Sequence, residues 1–127
     1  MAADLQGKHA LVVGASSGIG SAIALQLAHS GASVVVAARR KEEAEAVVAE
    51  ICASGGSACY LPVDVGNTAA VQSLIEGAVA AYGPLHIGVN NAGIEGTPFV
   101  PTADYDETVF DAVIDTNLKG VWRCMKY

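Results

Sequence analysis

Residues 14–20 read GASSGIG, with glycines at 14, 18 and 20 between an apolar run of strand type (10–13) and an apolar helical pattern that starts at Ile19. A strand that enters a helix through glycines aims the helix's first N–H groups, and the positive end of its dipole, at whatever lies above the strand ends. Gly14 would permit a tight turn. Gly18 would let a diphosphate approach backbone that a Cβ would screen, and Gly20 would let the helix pack closely on a sheet. The whole loop, Gly14, Ser16, Ser17, Gly18, Ile19 and Gly20, is a candidate dinucleotide cradle. The alternative is an ordinary flexible turn. No Gly-Lys-Ser/Thr follows, so it is not a P-loop.

Three further places could do chemistry. In dinucleotide folds an acid at the end of the second strand accepts hydrogen bonds from the adenosine ribose and repels a 2′-phosphate. Here that strand ends Val36-Ala37-Ala38 and is followed by Arg39 and Arg40. Ala38 leaves room, and Arg39 can present a planar fork to a phosphate, which favours NADP over NAD. The other reading makes both arginines solvated loop charges. Asp64 and Val65 close the third apolar run, where Asp64 is either a ligand contact or a helix-capping acid, although Asn67 is better placed to cap. Asn117 interrupts an apolar stripe of Phe110, Val113, Ile114 and Val121. Asparagine is a poor helix former and is costly to bury unsatisfied, so it is either bonded to nearby backbone or functional.

The elements that must position these residues alternate. Strands are expected over 10–13, Ser33–Ala38, 57–63 and 85–90. Between them lie a helix from Ile19 to about His29, apolar nearly all round and so expected to be buried, and an amphipathic helix over Lys41–Ala53 with Ala44, Val47, Val48 and Ile51 inward. A third helix, capped by Asn67, turns Val71, Leu74, Ile75, Ala78, Val79 and Tyr82 inward and stops at Gly83-Pro84. After a loop with Gly93, Gly96, Pro98 and Pro101, Asp104 or Asp106 caps a last helix that is still in mid-course at Tyr127. The order β-α-β-α-β-α-β-α implies parallel strands with right-handed crossovers, hence one α/β domain over residues 1–127 with helices on both faces of the sheet.

Composition agrees. With 52% hydrophobic and 16% charged residues the chain is not disordered. Its net charge of −6 makes it a poor partner for nucleic acid or an anionic membrane surface. Cys52, Cys59 and Cys124 have no metal-ligand spacing and read as reduced, partly buried thiols. The opening MAADLQGKHALVVGASS carries an acid where a signal peptide needs base, and a cytoplasmic location is expected.

The spacing G-x-x-x-G-x-G, the NNAG at 90–93 on the fourth strand, the Asp64-Val65 pair and the NLKG at 117–120 together resemble the short-chain dehydrogenase/reductase family, from about Lys8 to the end. The likeness is to the first half of a family chain. It implies a Rossmann-like parallel sheet with helices on both faces, cut short after the fourth strand and its following helix. It implies hydride transfer between NADP(H) and a small carbonyl or alcohol substrate, in proteins that are mostly dimers or tetramers. By resemblance, Asp64 takes a hydrogen bond from the adenine amino group. Asn91, Ala92 and Gly93 pass beneath the adenosine ribose, Asn90 ties the strands together, and Asn117 holds a water in a proton relay. Two positions depart from the pattern: Val13 replaces a threonine that braces the loop, and His86 replaces an aspartate. One point counts against NADP: Ser17 stands where NADP-preferring members often have a second base.

The family's relay also needs a serine and a Tyr-x-x-x-Lys pair, in which the lysine lowers the tyrosine's pKa. Tyr60 is followed at four by Asp64, Tyr82 by His86 and Tyr105 by Val109, Tyr127 is the last residue, and no serine follows NNAG. The expected reading is an N-terminal part of an oxidoreductase, inactive alone, with an open fourth-strand edge and Trp122 left uncovered. The competing reading is a non-catalytic nucleotide-binding module that acts by association.

Overall fold

The computed structural model describes residues 4–127; the first three residues of the segment read for a signal peptide lie outside the described residues. Four parallel strands, β1 (His9–Val13), β2 (Ser33–Ala38), β3 (Ser57–Pro62) and β4 (Ile87–Asn90), form one sheet in the order β3-β2-β1-β4. Helices α1 (Gly18–His29), α2 (Lys41–Ala53) and α3 (Thr68–Tyr82) make the crossovers. A fourth helical region follows β4. This is a Rossmann-like arrangement.

Alternation along the strands splits the core in two. Ala10, Val12, Val34 and Val36 face Ala24 of α1 and Ala44, Val47 and Ile51 of α2. Leu11, Val13, Val35 and Ala37 face Val71, Leu74 and Ala78 of α3. Apolar residues on both faces of β1 and β2 are what a sheet covered on both sides requires. The edges are less covered: β3 is half-buried or exposed along its length, and Gly88 and Asn90 of β4 are exposed.

Two helix expectations need correction. Helix α1 is not buried all round: it faces the sheet with a small-residue row, Gly20, Ala24 and Ala28, while Ile19 is 73% exposed. Small residues four apart let the helix axis sit close, so its larger apolar residues lie at the flanks. In α3, Val79 is exposed, although Val71, Leu74 and Ala78 are buried as the periodicity predicts.

The region after β4 differs more. Asp106, not Asp104, caps the helix: its side chain accepts from Thr108 N, while Asp104 ends a short 3-10 turn, Thr102–Asp104. The expected single helix is three pieces, α4 (Glu107–Ile114), a π turn (Asp115–Lys119) and α5 (Gly120–Lys126). Phe110, Leu118, Trp122 and Met125 along it are each more than half exposed. Among the described residues, no helix is long and apolar enough to cross a membrane. The cysteines are all free; Cys52 is exposed rather than partly buried, and Cys59 and Cys124 are half-buried, which pushes both thiols up.

Candidate nucleotide site

The carboxyl ends of β1, β2 and β4 open onto a cleft. One wall is the turn into α1, with Gly14, Ser16 and Ser17; a second is Ala38, Arg39 and Arg40. A third is Val63, Asp64 and Val65, and the fourth is Asn91, Ala92, Gly93, Ile94 and Thr116. Clefts at strand carboxyl ends, beside the point where strand order reverses, are where open α/β sheets hold ligands.

The glycines do different work. Gly14 has φ +83°, and a Cβ there would lie 2.6 Å from Ala92 N, so the turn presses against the segment leaving β4. A Cβ on Gly20 would fall on the Gly14 carbonyl oxygen and lie 2.7 Å from Asn91 Nδ2. Gly18 has φ +58° with no atom within 4 Å of where its Cβ would stand. Its side is open space, which a ligand can fill. Ser17, at the start of α1, makes no side-chain cap, and the first N–H groups of a helix have no partner within it. Those donors face a site with no carboxylate in the adjoining turn.

Arg40 and Arg39 divide the cationic role. Arg40 Nη2 donates to Ser17 Oγ (2.8 Å) and Ser16 Oγ (3.2 Å), and its Nη1 lies 3.6 Å from Glu43. It is therefore not a freely solvated charge. It brings a guanidinium to the Ser17 position, where NADP-preferring members of the family often have a base. Arg39 lines the cleft and has no hydrogen-bond or ion-pair partner among the described residues.

Asp64 is not a helix cap. Its Oδ1 accepts from Gly66 N (2.9 Å), while Asn67 Oδ1 caps α3 by accepting from Ala70 N (2.9 Å). The other Asp64 oxygen has no protein partner among the described residues. Across the cleft the tie between strands comes from Asn91 rather than Asn90. Asn91 Nδ2 donates to Gly14 O (3.0 Å) and its backbone N–H donates to Val13 O. That bond braces the glycine turn without the hydroxyl that Val13 lacks.

Asn117 sits in the π turn and is exposed, not buried in the apolar stripe. Its Oδ1 accepts from Ile94 N and its Nδ2 donates to Ile94 O, both at 2.8 Å. This pairing fixes the cleft wall after Gly93. One lone pair and one amide hydrogen of Asn117 stay available. Below it, Arg123 is buried; its Nη2 donates to Asp115 Oδ1 (2.7 Å) and its Nη1 to Val65 O (2.8 Å). The Arg123 hydrogen bond holds the Asp115 carboxyl below its usual range.

With this geometry in view, residues 8–127 match the short chain dehydrogenase family. The chain belongs to that family. It is 46% identical over 120 residues to the 3-oxoacyl-[acyl-carrier-protein] reductase FabG of Staphylococcus aureus, covering 94% of this chain and 48% of that one. It is 39% identical over 124 residues to the short chain dehydrogenase/reductase astE of Aspergillus oryzae, covering 97% of this chain and 47% of that one. A metagenomic short-chain oxidoreductase crystallised in complex with NADP superposes with a TM-score of 0.91 at 39% identity, covering 98% of this chain and 56% of that one. The chain spans about half the length of these relatives.

The cleft gathers most of the residues singled out from the sequence: Gly14, Ser16, Ser17, Arg39, Arg40, Asp64, Val65 and the segment from Asn91 to Gly93. Gly18, Ile19 and Gly20 open α1 next to Ser17 but are not among the lining residues, and Ile19 is exposed. Asn117 is not among the lining residues and adjoins the cleft through Ile94 and Gly93. Ile94, Thr116 and Val63 were missed. Ile94 directly follows NNAG and Thr116 precedes Asn117, so adjacency to motif residues was the available signal. Arg123 and Asp115 carried none.

Proposed function

We propose that this chain binds the adenylate end of NADP as the nucleotide-holding part of an oxidoreductase acting on a small carbonyl or alcohol. One observation carries the reading: Gly18 sits at φ +58° over open space, beside the unpaired N–H groups that start α1. Free helix-start N–H groups beside backbone that no side chain screens suit a diphosphate. The cofactor, when bound, would supply the hydride donor or acceptor. The chain's own residues hold and orient it: the 14–20 turn the diphosphate, Asp64 the base, and Asn91 to Gly93 the ribose. Arg39 and the Arg40–Ser17 pair bring positive charge to the ribose end, and no carboxylate stands at the end of β2, which supports NADP over NAD.

These 127 residues hold no Tyr-x-x-x-Lys, so we expect binding without turnover. Asn117, by the family pattern, would hold a relay water. The exposed row of Phe110, Leu118, Trp122 and Met125 supports association between copies, which sedimentation would test. Titration of the chain with NADPH and NADH, followed by nucleotide fluorescence, tests the central reading. NADPH should bind more tightly, and Arg39→Ala should abolish the difference. No binding of either nucleotide would sink the proposal. NADPH oxidation by the chain alone would overturn the expectation of inactivity.

A further inference from the structure

Among the described residues, Arg123 is the charged side chain that the fold buries, with 7% of its surface exposed. Removing a guanidinium from water is costly, and such an ion pair is a weak source of stability by itself. Its contacts point to another role. Nη2 donates to Asp115 Oδ1 (2.7 Å) and Nη1 donates to Val65 O (2.8 Å) and, more weakly, to Asp115 O (3.3 Å). The carbonyl of Val65 belongs to the Val65–Gly66 peptide. The N–H at the other end of that peptide donates to Asp64 Oδ1 (2.9 Å). A trans peptide is a rigid plane with C=O and N–H pointing opposite ways, so fixing the carbonyl fixes the N–H.

The surroundings agree. A Cβ on Gly66 would lie 3.1 Å from Asp115 Oδ2 and 3.2 Å from Asp64 Oδ1, so the peptide is held between the two carboxylates. A Cβ on Gly120 would lie 2.7 Å from Val65 Cγ2. Helix α5 therefore comes near enough for Arg123 to reach this peptide because residue 120 has no side chain.

We propose that Arg123 is a positioning residue for base recognition: through the Val65–Gly66 peptide it orients the Asp64 carboxylate, whose second oxygen accepts from the exocyclic amino group of the bound nucleotide's base. The inference rests on the nucleotide-binding reading of the cleft. It predicts a loss of discrimination at the base, not a general loss of affinity.

The test compares NADP with its analogue carrying hypoxanthine in place of adenine, which presents an oxygen where adenine presents the amino group. Affinities for both are measured with the wild-type chain, Arg123→Met, Asp64→Ala and the double variant. The wild type should prefer adenine by about tenfold, the scale of one hydrogen bond to a charged group. Each single variant should bring the preference close to one, and the double variant should lower it no further. Hydrogen exchange at the Gly66 amide, read without nucleotide, should quicken in Arg123→Met. Should that variant fail to fold, Arg123→Lys replaces it: an ammonium lacks the rigid fork that meets Val65 O and Asp115 Oδ1 with two nitrogens, so the preference should fall in a folded chain. An Arg123 variant that weakens both nucleotides equally and keeps the preference would overturn the proposal. So would a wild type that binds both bases equally. A wild type that binds neither would remove the nucleotide reading together with this one.

Discussion

Strand β1 is tied to β4 at both ends by a side chain bonded to backbone 77 residues away. At the amino end, His9 N donates to His86 Nδ1 (3.0 Å), His86 N donates to His9 O (2.9 Å), and His9 Nδ1 pairs with Pro84 O (3.0 Å). Tyr82 stacks on the His9 ring. At the carboxyl end, Asn91 Nδ2 holds Gly14 O, and Gly14 N and Ala15 N donate to Ala37 O, but the first N–H groups of α1 and one oxygen of Asp64 are left without protein partners among the described residues. The amino end uses its polar groups on itself. The carboxyl end is braced from below and leaves donors and an acceptor facing the cleft. A site that must bind an anion needs that difference, because backbone already paired within the fold has nothing to offer a ligand.

The largest effect should come from crowding the braced turn. Gly20→Ala would drive a methyl onto the Gly14 carbonyl, and Gly14→Ala would combine φ +83° with a contact at 2.6 Å to Ala92 N. Either should cost about 3 kcal/mol, from overpacking and a left-handed backbone, read as a lower urea midpoint. Gly18→Ala sharpens the contrast. With no neighbour within 4 Å, it should cost only about 1 kcal/mol of stability. It should still weaken NADPH binding roughly tenfold by obstructing the charged hydrogen bonds there. If Gly18→Ala bound normally, the open side would not be a ligand surface.

The amino end should respond oppositely. His86→Ala leaves the His9 N–H without its acceptor, and because the site is solvent-exposed the loss should be about 1 kcal/mol. Nucleotide affinity should not change. His86→Asp should recover the stability, since a carboxylate oxygen can accept the same N–H. The family position usually holds aspartate, and the imidazole here serves as the same kind of acceptor. A His86→Ala chain that lost nucleotide binding would mean the two ends are coupled and the comparison is wrong.

What the sequence made legible were features with a local signature. Strand and helix order followed from periodicity and punctuation, the Asn67 cap from its position before an apolar run, and the glycine turn from its place between strand and helix. Side-chain partners far apart in the chain had no such signature. Nothing local says that Arg40 reaches Ser17, that Asn91 rather than Asn90 bonds Gly14, or that His86 accepts from His9. The Arg123–Asp115 pair was hidden for a different reason. In an unbroken α-helix, residues eight apart differ by about 80° around the axis, so the two charges read as separate surface groups. The π turn absorbs one residue and brings Arg123 back toward the face of Asp115. A pattern search that assumes a uniform helix cannot recover that pair.

The smallest effect is also the one that tests whether that hidden pair belongs to the braced end. The Arg123 hydrogen bond lowers the Asp115 carboxyl below its ordinary value. A carboxylate depressed in the folded state stabilises the fold above its unfolded pKa, and the contribution is lost as pH falls through the folded value. At neutral pH the wild type should therefore exceed Asp115→Asn in stability. About a third of the Asp115 side chain is exposed, so solvent screening should hold the difference below about 1 kcal/mol. The two urea midpoints should draw together as the pH drops below the usual carboxylate range, where both chains carry a neutral group at 115. A gap that stayed constant down to that acidity would mean the residue acts by shape alone. The charge on Asp115 would then have no part in holding α5 against the loop that carries Asp64.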